Sequence, residues 1–136
     1  MENEFIKYVS NYDLNINMIK LKYEHSFRVM ELNENLAKQL ELDEEDVKLG
    51  RLIGLLHDFG RFEQYSVYAT YDDDLSFDHA DYAVEVLFNG NEIRKYIADN
   101  RYDNIIKIAI KNHNKFAIEG NLNEKELLHT KMIRDT

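Results

Sequence analysis

The residues of this chain best suited to chemistry are its five histidines, His25, His57, His79, His113 and His129. His25, His57 and His113 fall on apolar sides of three different predicted helices, and His79 in the first turn of a fourth. A single histidine on an apolar face is usually a core residue whose ring nitrogens have found partners. Several in one small core are more economically explained by convergence on a shared metal, because each buried imidazole must satisfy both nitrogens. His57 is followed directly by Asp58. In a helix interior, neighbours point about 100° apart and would not face one ion. At a helix end, with Gly60 close behind, the backbone can turn so that imidazole and carboxylate converge, and a carboxylate can bridge two cations. The alternative is an Asp58 that merely decorates the surface.

The elements that must carry these residues are predicted from spacing. His25, Val29, Leu32, Leu36 and Leu40 recur at helical steps between Tyr23 and Leu40. Asp43 is a good N-cap for a second helix, with Glu44, Glu45 and Asp46 in its first turn. Apolar Val47, Leu49, Leu52, Ile53, Leu55 and Leu56 carry that helix to His57, and Gly60 reads as its stop. Periodicity is lost from Gln64 to Phe77, which reads as a loop. Asp78 can cap a third helix ending near Asn89-Gly90, Ile93 to Asp99 reads as a short helix, and Asp103 caps another that ends at His113. Asn123 starts a last helix through Leu127, Leu128 and Met132. There is no proline, and the five glycines are scattered. Helices should dominate, without internal repeats.

Composition limits the function. At 136 residues the chain has the size of one domain, and 44% hydrophobic with 32% charged residues is a globular balance. The 17 basic and 26 acidic side chains leave a net charge of −9, which repels nucleic acid and anionic membrane. General nucleic-acid binding is therefore not expected. A small anionic substrate still is, since a metal or local cations can reverse the potential within one pocket. With no cysteine, disulfides, zinc fingers and thiol catalysis are excluded, and His, Asp and Glu remain as metal ligands. The acidic N-terminus is unlike a signal peptide and no apolar run approaches a membrane span, so cytoplasm is the expected location.

Tyr23-Glu24-His25-Ser26, Leu55-Leu56-His57-Asp58-Phe59-Gly60-Arg61-Phe62-Glu63, Asp78-His79-Ala80, Lys111-Asn112-His113-Asn114 and Ile133-Arg134-Asp135-Thr136 together resemble the successive motifs of the HD-domain superfamily of metal-dependent phosphohydrolases. The resemblance covers residue 20 to the end and rests on motif order. It implies an all-α, HD-domain-like bundle of about five to seven helices. Residues 1–136 would form a single HD-type domain, with 1–20 as an N-terminal helical extension. It implies His25, His57 and Asp58 as metal ligands, with either Asp135 or an Asp that would stand just past Thr136 as the distal one. His79 and His113 match the two further histidines that bind a second metal, or contact the substrate phosphate, in some members. The family's last motif usually continues beyond its first Asp, whereas this sequence stops at Asp135-Thr136. The C-terminal part of the family's domain is accordingly expected to be absent, with activity reduced or lost.

Such a ligand set suits one or two divalent ions, with Mn, Fe, Ni, Co or Zn favoured over Mg alone. Water activated there could attack phosphorus. Arg61, three residues past Asp58, could hold a phosphate oxygen or cap the helix from the surface. Glu63 reads as a surface residue. Tyr65, Tyr68 and Tyr71, with Phe62 and Phe77, could stack a nucleobase but fit core packing or a loop buttress better. Asp72, Asp73 and Asp74 read as a solvated run, and His129 as a surface residue. Three functions follow: a phosphohydrolase acting on a phosphomonoester, nucleotide or phosphodiester, a di-iron oxygenase on the same ligand set, or a non-catalytic truncated HD domain.

Overall fold

A computed structural model describes residues 1–115 and 117–134. Its helices are α1 (Glu2–Val9), α2 (Asn17–Gln39), α3 (Glu44–Leu56), α4 (Arg61–Tyr68), α5 (His79–Val84), α6 (Asp103–Asn112) and α7 (Glu124–Arg134). No strand occurs among the described residues, so the fold is the all-α bundle that the sequence implies. None of these helices is long and apolar enough to cross a membrane.

α2 and α3 form an antiparallel hairpin. Asn33 Nδ2 donates to Gly50 O at 2.7 Å, Met30 faces Gly54, and His25 reaches Asp58, a progression that runs in opposite directions along the two helices. The hairpin closes where Asp43 caps α3, its carboxylate accepting from Asp46 N at 2.9 Å. The buried face of α2 differs from the expected stripe. Ile19, Ser26, Val29, Met30, Asn33 and Ala37 are buried, while Leu32 and Leu40 are about half exposed. The close approach at Gly54 decides this, because a Cβ there would lie 2.8 Å from Met30 Cα and from Val29 O. Only the small Gly54 lets the two backbones touch, and that turns the Met30 side of α2 inward.

Other boundaries follow from local chemistry. Asp78 caps α5 by accepting from Ala80 N and Asp81 N, and α5 runs on through a π-turn at Glu85–Asn89. Asn123 and Glu126 cap α7 reciprocally, each side chain accepting from the other's backbone N–H. Asp103 is the first residue of α6 rather than its cap, and the short helix expected over Ile93 to Asp99 is a single 3₁₀ turn, Glu92–Lys95. The expected loop from Gln64 is helical as far as Tyr68. It has no apolar period, since only Phe62 and Gln64 of α4 are buried, and no glycine marks its end; Ala69 takes the left-handed conformation at φ 54° instead.

α1 covers the turn between α3 and α4. Phe5 and Val9 are fully buried in the same core as Ile53, Leu56 and Ile110. Tyr8 stacks on Phe59 with ring centres 4.0 Å apart, and Phe5 meets Phe62 edge-on. At the other end, His129 is not a surface residue. It is fully buried, donating from Nε2 to Asp46 Oδ1 at 2.9 Å, with Lys125 Nζ 3.3 Å from the same carboxylate. This buried pair ties α7 to the start of α3.

Burial pulls His129 below its ordinary pKa of 6.5, with Asp46 opposing. For Asp46, burial acts upward, but His129 and Lys125 hold the carboxyl below its usual range. A histidine depressed on folding binds its proton more readily when unfolded, so its stabilisation is present above 6.5 and is lost as pH falls towards the folded value. The urea midpoint should therefore be lower at about pH 5.5 than at about pH 7.5. His129→Gln should shrink that difference. A variant with the wild-type pH dependence would contradict the assignment.

Candidate metal centre

The centre is built on the turn that joins α3 to α4. His57 keeps helical angles, φ −60° and ψ −33°, as the cap of α3. Phe59 N–H then bonds to Leu56 O and Arg61 N–H to Asp58 O. With Phe59 buried beneath Tyr8, His57 and Asp58 are left pointing inward, 5% and 4% exposed. The turn does bring the adjacent imidazole and carboxylate together, with His57 Nε2 3.3 Å from Asp58 Oδ2.

Three other helices deliver the remaining histidines. α2 brings His25 Nε2 to 3.4 Å from the same Oδ2. The first turn of α5 places His79 Nε2 at 3.4 Å from Oδ1, and the end of α6 places His113 Nε2 at 3.5 Å from Oδ1. Each oxygen of Asp58 thus faces its own histidine pair. His25, His57 and Asp58 form one group whose ligand atoms could hold an ion, and Asp58, His79 and His113 form another. His79 can come this close because Gly60 has no side chain; a Cβ there would lie 2.2 Å from His79 O.

The outer ring nitrogens decide what the inner ones offer. His57 Nδ1 donates to Gly54 O at 2.7 Å, His113 Nδ1 to Ile110 O at 2.6 Å, and His79 Nδ1 to the Asp73 carboxylate at 3.1 Å. With those protons committed, the three Nε2 atoms present lone pairs to the centre. His79 and His113 Nε2 lie 3.2 Å apart beside a carboxylate, an arrangement that a divalent cation satisfies. The donor set therefore fits one or two such ions.

Charges agree with this. Burial acts to raise the pKa of Asp58, but His57, His113 and His79 hold it well below the usual carboxylate range. Burial pulls His25 and His113 down, against the opposing pull of Asp58. The ionised carboxylate and the neutral imidazoles are the forms that bind metal.

A second layer fixes His79. Gln64, fully buried, donates from Nε2 to Asp73 Oδ1 at 2.7 Å and to Ser76 Oγ at 2.9 Å. Burial acts upward on Asp73, yet Gln64, His79 and Arg61 keep its pKa low. Asp73 is thus a buttress rather than part of a solvated run. A third group, Asp73, Asp78 and His79, also lies within reach of one ion, but there His79 Nδ1 is already bonded to Asp73 and Asp78 accepts from Lys115 Nζ at 2.8 Å.

Arg61 is 16% exposed. Its Nη1 donates to Gln64 Oε1, Tyr71 O and Asp73 Oδ1, while its Nε is buried, without a hydrogen-bond partner among the described residues, 3.8 Å from Asp58 Oδ1. Tyr71 lies by Arg61 and Lys22, with its ring centre 5.5 Å from the guanidinium carbon and 5.4 Å from the ammonium. Phe62 belongs to the core, Tyr68 packs edge-on against Phe77, and Glu63 accepts from Tyr12. Asp135 lies outside the described residues.

Sequence reasoning missed Lys22, Gln64 and Asp73. Lys22 was detectable, because residues three apart share a helix face and Lys22 precedes His25 by three. Gln64 and Asp73 carried no such signal.

The HD domain family model matches residues 23–135 of the chain, a span that begins two residues before His25. No curated protein and no solved structure gives a significant match.

Gly60→Ala should destabilise the fold by about 1–3 kcal/mol, since the clash is with the His79 backbone. Gly120→Ala is the control, because nothing lies within 4 Å of a Cβ at that position. Denaturant unfolding of both checks the contrast, and equal stabilities would contradict the close approach.

Proposed function

Because the chain belongs to the HD-domain family, whose members are generally hydrolases, we propose that it is a metal-dependent phosphohydrolase. Its substrate is a small phosphorylated molecule, a phosphomonoester, nucleotide or phosphodiester. The observation that carries this reading is the division of Asp58, with Oδ2 turned to His25 and His57 and Oδ1 to His79 and His113. In this reading His25, His57 and Asp58 hold one divalent ion, and Asp58, His79 and His113 hold a second. When bound, such ions lower the pKa of water and offset charge on a phosphoryl group.

The chain's own groups do the rest. Asp58 and the three fixed imidazoles orient the ligand atoms before substrate arrives, so little reorganisation is needed during reaction. Arg61 turns its guanidinium towards the Asp58 side, with Nε 3.8 Å from Oδ1, and in this reading that guanidinium takes a phosphoryl oxygen. His79 and His113 border the same space. Hydrolysis adds water across one P–O ester bond and releases an alcohol, together with phosphate from a monoester or a phosphomonoester from a diester. The net charge of −9 argues against a general nucleic-acid or anionic-membrane partner.

Elemental analysis of freshly purified protein and of His57→Ala, with a screen of generic phosphate esters in added Mn²⁺, tests the proposal. About one or two transition-metal ions per chain, with fewer in the variant, together with ester turnover, is the expected result. Iron with O₂ consumption and no ester turnover would replace the hydrolase by a di-iron oxygenase. Absence of both metal and turnover would make the chain a non-catalytic version of the fold.

A further inference from the structure

Lys22 stands three residues before His25 and projects from the same side of α2. Its ammonium donates to Asp58 Oδ2 at 3.4 Å, and its side chain is 21% exposed. That is too covered for a free surface lysine, yet open to an incoming ligand. An ammonium has three donors. Asp58 takes one, and Tyr71 offers Lys22 only its ring face at 5.4 Å, which attracts a cation without consuming an N–H. Among the described residues Lys22 has no further hydrogen-bond partner. Arg61 stands by the same ring, so two cations flank Tyr71 at the edge of the centre.

Resting on the phosphohydrolase reading, we propose that Lys22 is a phosphate-binding residue, its ammonium donating to a phosphoryl oxygen of the substrate. Lys22 and Asp58 form an ion pair with the centre as it stands. Once divalent ions balance the Asp58 carboxylate, the ammonium gains less from it, and a phosphoryl oxygen becomes the stronger acceptor. A terminal phosphate, which carries two negative charges, matches Lys22 and Arg61 better than a phosphodiester, which carries one. The favoured substrate class is therefore a phosphomonoester.

Calorimetric titration of the Mn²⁺-loaded chain with inorganic phosphate, and with dimethyl phosphate as the singly charged probe, tests this alongside the Mn²⁺ content of each protein. Lys22→Gln should keep the wild-type Mn²⁺ content and bind inorganic phosphate about tenfold or more weakly. Lys22→Arg should recover most of the affinity. Dimethyl phosphate should bind the wild type more weakly than inorganic phosphate does. Wild-type phosphate affinity in Lys22→Gln with its Mn²⁺ retained would overturn the role of Lys22 and leave the hydrolase standing. Loss of Mn²⁺ in that variant would overturn it too, by placing the lysine's effect on the metal ligands. Equal affinity for the two probes would overturn the phosphomonoester assignment. A wild-type chain that takes up neither Mn²⁺ nor Fe²⁺, Co²⁺, Ni²⁺ or Zn²⁺ would overturn the hydrolase reading itself, and the phosphate site with it.

Discussion

Taking a carboxylate out of water costs several kcal/mol unless charged or hydrogen-bonding groups meet it, and Asp58 is only 4% exposed. The Lys22 and Arg61 cations answer part of that cost, and divalent ions held by the surrounding imidazoles would answer the rest. Lys22, His25 and His57 approach Oδ2, while His79, His113 and Arg61 approach Oδ1. These six residues come from α2, α4, α5, the end of α6 and the turn after α3. The bundle can be understood as the packing that holds all of them around one carboxylate.

Two glycines and one aromatic cover make that packing attainable. Gly54 lets α2 and α3 touch backbone to backbone, which sets the register that carries His25 to Asp58. Gly60 does the same for the start of α5 and so admits His79. Tyr8 stacked on Phe59 and Phe5 against Phe62 keep the turn between α3 and α4 from swinging its carboxylate into water. The remote buried pair of His129 and Asp46 performs a different task, docking α7 onto α3.

Much of this was legible in the sequence because local rules carried it. Asp43 and Asp78 do cap their helices, and the idea that a helix end could fold His57 and Asp58 onto one point is the geometry found. What escaped depended on contacts between distant segments. Leu32 was expected inside, yet it is about half exposed while its neighbour Asn33 is buried, its amide donating to Gly50 O. His129 looked solvated because its partner Asp46 lies 83 residues away. Asp73 sat in a run of three acids that reads as surface, and only the fold shows it clasped by Gln64, Arg61 and His79. The helix from Arg61 to Tyr68 was missed because it ends on Ala69 in a conformation that usually signals glycine.

The central claim is that Asp58 is shared by two metal-binding groups. The most direct test is the metal stoichiometry of Asp58→Asn measured beside that of His25→Ala and His113→Ala, each checked for retained helix content. The account predicts that Asp58→Asn loses all bound metal, whereas each histidine variant weakens one group and leaves the other able to bind. Wild-type metal content in Asp58→Asn would contradict it.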